Sequence, residues 1–448
     1  MQFEKSGQLT PSDNRSYVVL PVDVPLGITQ FHVQFEFTPE RTAGQPYPQQ
    51  ISLFVADPAG PRAEGSHIHP EGITINAGYA SPGALAGPIQ PGRWNVFVIV
   101  HRIMPPTPVE YHLAVTLSSE PTATEPHVFT KAAVAPRGAG WYRGDLHAHT
   151  IHSDGSWTIA ELMAFWRARQ LDFMTLSDHN TIAGNAEAQS LASDDLMVIR
   201  GTELSTFRGH CLALGVDRWY EWRTDPNGEM SITDLARQVL DGGAFLVIAH
   251  PMAPGDPECC GCHWEHLEMM PGFAPAVEIW NGYWADYNEQ GLQLFYQWLN
   301  DGNHLVATSG TDIHGPPTED GRGAANVVYA EALSEEAILA ALRKGHSYIS
   351  AGPQLLLNGV SAAGQQAMMG DTLPDEGAEI TASWDGAHEG DSVRFVVNGR
   401  IHETQPAAQT GQAVWPLKAG EAAWCTVELR DHDGGLWAVT NPIFMNAG

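Results

Sequence analysis

The chain has 448 residues, an apolar content of 43% and a formal net charge of −29. This length suits roughly two or three domains, and the acidity argues against DNA, RNA or anionic membranes as extended partners, since polyanions are bound through clustered Lys and Arg. No stretch reaches the roughly 18 to 20 apolar residues of a membrane helix. The opening MQFEKSGQLTPSDNRSY lacks a basic segment followed by an apolar one, so a soluble cytoplasmic protein acting on a small molecule is expected.

Residues 1–138 hold short alternating apolar runs, SYVVLPVDV, QFHVQFEF, QQISLFVAD, RWNVFVIVHRI and EYHLAVTL, separated by Pro and Gly clusters. That texture predicts an all-β sandwich, followed by a linker across PTATEPHVFTKAAVAPRGAG.

In residues 139–350 the period changes, and strand-length apolar runs alternate with helical segments. In WTIAELMAFWRARQ, Ile159, Leu162, Met163 and Trp166 fall at three- and four-residue spacings, with Ser156 or Thr158 as the cap. SITDLARQVLDGG, NEQGLQLFYQWLNDG and SEEAILAALRKG read as further helices, each ending near a Gly. The alternation predicts an α/β unit with a parallel sheet or barrel. Residues 351–448 return to short strands, EITASWDG, SVRFVVNGR, WCTVELRD and LWAVTNPIFM, and predict a smaller, Ig-like C-terminal β-sandwich.

The chemistry-bearing residues of the middle region cluster at strand ends, where α/β sheets and barrels build their sites. Successive strands deliver His147 and His149, then Asp178 and His179, then Glu203, then His250, then Glu278 and Asn281, then Asp312 and His314. His210 stands before its strand and reaches the same end if that strand runs antiparallel or follows a loop returning from Glu203. Residues i and i+2 of an extended chain point to one side, so His147 with His149, and Asp312 with His314, can act as pairs. A single His at a strand end is ordinarily structural; six histidines and three carboxylates so placed point to a multinuclear site. Imidazole and carboxylate suit Zn, Mn or Fe. Two or three divalent ions, with Glu203 bridging two, would use the set His147, His149, Asp154, His179, Glu203, His210, His250, Asp312 and His314.

The run RGDLHAHTIHSDG, then SDHN, GTE with RGH, AHP and SGTDIHG, resembles the polymerase and histidinol phosphatase (PHP) superfamily across about 141 to 350. The resemblance implies a distorted barrel of about seven β/α units. It also implies a first metal on His147, His149, Glu203 and Asp312, a second on Glu203, His210 and His250, and a third on Asp154, His179 and His314. CCGCHWEH, VEIWNGYW and VATSGTDIHGP, with β-rich flanks, are similar to the carbaryl hydrolase branch of bacterial metallohydrolases. His152 in the same loop reads as a surface residue.

Two cations sharing a hydroxide would furnish a nucleophile near neutral pH, with Glu203 as bridge and Asp178 orienting His179 or relaying a proton. Arg143 and Arg208 are candidates to clamp a phosphate or carboxylate. Trp264, Trp280, Tyr283 and Trp284 are candidates for an aromatic wall, which favours hydrolysis of an ester or carbamate with an apolar group over a phosphoester. A noncatalytic binding module is disfavoured by the complete ligand set. The five cysteines, Cys211, Cys259, Cys260, Cys262 and Cys425, are odd in number and crowded, which argues against a disulfide framework and fits a reducing compartment. A separate zinc site on Cys259, Cys260, Cys262 and His263 is disfavoured, since no second CxxC exists.

Overall fold

In the computed structural model, residues 1–65, 71–106, 108–122, 128–135, 137–224, 230–318 and 321–446 are described. The N-terminal strands follow the alternation of their sequences: along Val109–Ser118, Val109, Tyr111 and Leu113 are buried while Glu110 and His112 face solvent. They form two four-stranded antiparallel sheets. One joins Gln2–Leu9, Val109–Ser118, Gln30–Thr38 and Ile73–Asn76; the other joins Ser16–Val24, Gly92–Arg102, Gln50–Asp57 and Gly60–Gly65. Both contribute to one core, with Phe31 stacked on Trp94 at 4.4 Å. The linker expected over 121–140 lies partly outside the described residues; its described part carries neither helix nor strand before Gly140.

The central sheet runs in the order Val306–Gly310, Ala276–Asn281, Phe245–Ile248, Gly209–Leu214, Met197–Thr206, Phe173–Leu176, Gly140–Asp145. Its first three and last three strands pair in parallel, and Gly209–Leu214 is antiparallel to both neighbours. The ends of this path meet where Ala148 and Ile313 form a parallel bridge, with Asp312 N donating to His147 O at 2.8 Å and His149 N to Ile313 O at 2.9 Å. One face of the strands packs Leu146, Phe173, Ile199, Leu212, Val247 and Ala276 together. The other takes helices, and Ile338, Leu339, Ala341 and Leu342 of one further helix close the first cluster.

Helix α1 (Ile159–Ala168) buries Ile159, Leu162, Met163 and Trp166 against Met174, Leu176 and Val198. Thr158 rather than Ser156 caps it, in a reciprocal capping box with Glu161. Helix α2 (Asn185–Leu191) has little apolar periodicity and was not expected. Ser231 caps α3 (Ile232–Asp241), α4 spans Asp286–Asn300, and α5 (Glu335–Lys344) ends at Gly345 with φ of 73°, a left-handed C-terminus that glycine adopts without a Cβ penalty.

The described elements do not form seven regular strand–helix units. Met197–Thr206 and Gly209–Leu214 make a hairpin, and Ile248 leads to Ala276 through a loop with no helix. The sheet also continues beyond Gly140–Asp145 through Ala325–Ala330 and Ser347–Ser350 into the C-terminal strands Leu436–Thr440, Trp424–Arg430, Ser392–Val397 and Arg400–Pro406. A second C-terminal sheet, Gln366–Met368, Gln354–Ser361, Ala378–Asp385 and Thr410–Leu417, shares a core with them. Among the described residues, no helix is long and apolar enough to cross a membrane.

Candidate metal centre

Antiparallel pairing settles the position of His210. Ser205 faces His210 across the hairpin, so His210 returns to the end where Glu203 stands. Glu203, His147 and His149 are completely buried. Gly310 makes this packing possible: a Cβ there would lie 2.2 Å from Glu278 Oε1 and 2.2 Å from His147 Cβ.

Four atoms converge in the first group. His147 Nε2 lies 3.3 Å from Glu203 Oε2 and 3.3 Å from Asp312 Oδ1; His149 Nε2 lies 3.4 Å and 2.9 Å from the same two oxygens. Ligand atoms about 2.0–2.2 Å from one ion, at tetrahedral or octahedral angles, stand roughly 2.8–3.6 Å apart. His147 Nε2, His149 Nε2 and Glu203 Oε2 are buried and make no hydrogen bond. Buried polar atoms without partners are costly, and a shared cation satisfies all three at once. The donor set therefore fits a metal.

Around Glu203 Oε1, His210 Nδ1 and His250 Nε2 each lie at 3.1 Å. A third group gathers His149, Asp154, His179 and His314, with Asp154 Oδ1 at 3.5 Å from His179 Nε2 and 3.2 Å from His314 Nε2. All nine expected ligands thus lie in one contiguous cluster, and Glu203 touches the first two groups and His179.

Hydrogen bonds behind the rings set which nitrogen is free. His147 Nδ1 faces Glu278 Oε1 at 3.0 Å, His250 Nδ1 faces Cys262 O at 3.1 Å, and His314 Nδ1 faces Asp312 O at 2.7 Å. Each acceptor fixes the proton on Nδ1 and leaves the Nε2 lone pair directed at the cluster. His250 and Asp312 take left-handed backbone, with φ of 28° and 51°, a strain of about 1–3 kcal/mol each that persists where the surroundings enforce it.

Burial alone would raise the Glu203 carboxyl, but His147, His179 and His210 outweigh it and hold it well below the usual carboxylate range. Asp312 and Asp154 are likewise held low against burial, Asp312 by His147 first and Asp154 by His179 first. Burial, followed by His314 and His179, pushes His149 down to about 4.

Two cavities share Asp312 and His314. The larger, about 880 Å³, is lined by Arg143, Phe165, Arg169 and Tyr283 among others. The smaller, about 250 Å³, is lined by Asp154, His179, His210 and His250 and, from the N-terminal strands, by Gln50, Ser52, Glu64 and His101. His101 Nε2 pairs with Ser52 Oγ at 2.8 Å, and burial, with His210 and His179 adding, pushes its imidazole down to about 3.

Several expected roles shift. Asp178 does not hold His179; its carboxylate accepts from Thr150 N, Thr150 Oγ1 and Ser153 Oγ at 2.7–2.8 Å and so braces the loop that carries Asp154. His179 Nδ1 instead meets Ser205 Oγ at 2.5 Å. Arg143 lines the larger cavity, and its guanidinium makes no ion pair among the described residues. Arg208 lines neither cavity; it donates to the Glu265 carbonyl at 3.0 Å. Trp264 and Trp280 are buried in the core, Trp284 is half-buried against it, and of the four expected wall aromatics only Tyr283 lines either of these cavities. His152 is no free surface residue, since its Nδ1 accepts from Gly83 N at 3.1 Å. Cys259 and Cys262 are bonded to each other, against the expectation of reduced cysteines, while Cys211, Cys260 and Cys425 are free and buried.

Sequence reading left Glu278 out of the ligand set, though a carboxylate inside the apolar run PAVEIWN was a signal. Nothing local marks His101, which sits in an equally apolar run of a distant strand.

No family model and no curated protein matches the chain. Among solved structures, it is similar to a two-domain protein from Bacteroides vulgatus described as containing a predicted PHP-like metal-dependent phosphoesterase, at 15% identity over 70% of this chain and 98% of that one, TM-score 0.39. It is similar to a candidate metal-dependent phosphoesterase from Bifidobacterium adolescentis at 18% identity over 40% and 91%, TM-score 0.31. An amidohydrolase from Chromobacterium violaceum matches at 19% identity over 40% and 89%, TM-score 0.30.

Proposed function

We propose that the chain is a metal-dependent hydrolase of the PHP type acting on a small phosphorylated molecule. On this reading the central sheet is a distorted barrel, residues 1–138 and 351–448 are flanking β domains, and neither nucleic acid nor membrane is a partner. The observation that carries the hydrolase reading is the convergence of His147 Nε2, His149 Nε2 and Glu203 Oε2, buried and without a hydrogen bond, at ligand spacing around Asp312.

His147, His149, Glu203 and Asp312 would hold one divalent cation, Glu203, His210 and His250 a second, and Asp154, His179 and His314 a third. Bound divalent cations supply Lewis acidity and lower the pKa of a water so that it attacks near neutral pH. The chain's part is to fix geometry. Glu278 sets the tautomer of His147, the Asp312 carbonyl that of His314, and Asp178 braces the Asp154 loop. Arg143, free of ion pairs among the described residues and set in the cavity that Asp312 and His314 share, would grip an anionic oxygen of the substrate.

The phosphoester is preferred because Trp264 and Trp280, two of the aromatics that would favour an apolar ester or carbamate, lie in the core. Tyr283 and Phe165 in the larger cavity keep the ester or carbamate as the second reading. The test is turnover by Mn- and Zn-loaded protein of p-nitrophenyl phosphate, bis-p-nitrophenyl phosphate, naphthyl acetate and a naphthyl carbamate, with His147→Ala as control. Turnover confined to the carbonyl substrates would overturn the phosphoester reading, and no turnover by metal-loaded protein would overturn the hydrolase.

A further inference from the structure

The loop between His250 and Trp264 returns three cysteines to the metal cluster. Cys259 and Cys262 are half-buried, bonded to each other and part of the smaller cavity's wall; Cys260 is buried. A ring nitrogen of His210, one of His250 and Cys262 Sγ all lie within 4.8 Å of one another. The loop is pressed onto His210 at Gly261, whose φ is 82° and whose Cβ, if present, would lie 2.2 Å from Thr206 O and 3.0 Å from His210 Nε2.

We propose that Cys262 is a conditional metal ligand, completing the position held by Glu203, His210 and His250 when its bond to Cys259 is open. The inference rests on the metal-centre reading and adds a redox-gated donor to it. Glu203, His210 and His250 offer three ligands to this position. Tetrahedral zinc takes four, and thiolate beside imidazole is among its preferred sets.

Other contacts keep the loop in place whether or not the disulfide is closed. Arg15 pairs with Asp256 at 2.8 Å and with Glu265 at 2.7 Å. Cys260 N donates to Gln50 Oε1 at 3.3 Å and Trp264 N to Pro251 O at 3.0 Å. His250 Nδ1 donates to the Cys262 carbonyl. These contacts hold the backbone that carries Cys262 beside the two histidines.

The chemistry balances with a dithiol as reductant. Exchange breaks the Cys259–Cys262 bond, delivers two electrons and two protons to give two thiols, and closes the reductant to its own disulfide. Cys262 then loses its proton to solvent as its sulfur takes the cation, since the thiolate is the ligand form. Cys259 remains a free thiol at the cavity edge.

The test is cobalt loading of the whole chain, oxidised or reduced by dithiothreitol that is removed before anaerobic metal addition, followed by near-ultraviolet absorption and metal analysis. Thiol titration should show two further thiols on reduction. The expected result is a thiolate-to-cobalt charge-transfer band in reduced wild type and in unreduced Cys259→Ser, lost in oxidised wild type and in reduced Cys262→Ser. Cobalt bound without that band in the reduced protein overturns the inference and leaves the metal centre standing. A band that survives in Cys262→Ser assigns the sulfur to another cysteine and overturns it too. Failure of either form to bind cobalt overturns both the inference and the metal centre.

Discussion

His147 Nδ1 lies 3.0 Å from Glu278 Oε1, and neither side chain reaches solvent. Glu278 also accepts from His250 N and from Asn281 Nδ2, each at 3.0 Å, so one buried carboxylate orients two parts of the cluster. Glu278→Ala is therefore expected to weaken metal binding about 10- to 100-fold, the usual cost of removing a group that holds a ligand. Chelator competition on the folded variant measures it; unchanged affinity would remove Glu278 from the account.

Asp154 Oδ1 stands at the meeting of His179 Nε2 and His314 Nε2, at 3.5 and 3.2 Å, with His149 Nδ1 farther off at 4.0 Å. Asp154→Asn should lower the metal content by one ion per chain and spare the rest. Metal analysis after equilibration decides this: loss of all ions would show that the groups do not load separately.

Arg143 and Arg208 make a matched pair. Arg143 lines the cavity that Asp312 and His314 share, whereas Arg208 is turned to the Glu265 carbonyl. Arg143→Ala should cut kcat/KM for a phosphoester about tenfold to a hundredfold, the range of a charge-assisted hydrogen bond worth about 1.5–3 kcal/mol. The same change at Arg208 should leave it near wild type. Equal effects at both positions would refute the assignment.

His101 gives a pH dependence of stability. Burial first, then His210 and His179, hold its folded value at about 3 against an ordinary 6.5. Between those values the unfolded chain binds the extra proton, so stability rises with pH across the window. It is fully present above about pH 6.5 and is lost as pH falls toward 3. His101→Gln, which cannot titrate, should flatten this slope in urea unfolding midpoints taken near neutrality and at about pH 5. A variant with the wild-type slope would contradict the assignment.

The members of the cluster were legible because their signals are local. His147-x-His149 and Asp312-x-His314 need only the two-residue period of an extended chain, and Glu203 and His250 close or follow apolar strands. His210 was legible only conditionally, since its strand direction depends on the hairpin with Glu203. The helices with caps and apolar periods were readable, and α2, short and nearly without period, was not. Residues brought in across long separations escaped. His101 and Ser52 reach the cavity only because the N-terminal sheet docks there, where Phe54 meets Trp222 at 6.1 Å and Arg15 meets Glu265. The tryptophans misled for the same reason: burial in a core and exposure in a cavity leave the same mark on a sequence.

The most direct test of the central claim is the metal content of the purified, metal-equilibrated chain beside Glu203→Ala. Glu203 touches His147, His149, His179, His210 and His250, so its loss should strip the first two groups together. The account predicts two or three divalent ions per wild-type chain and at most one in the variant, with hydrolysis abolished. Fewer than one ion per wild-type chain, or a variant that keeps the wild-type content, would contradict it.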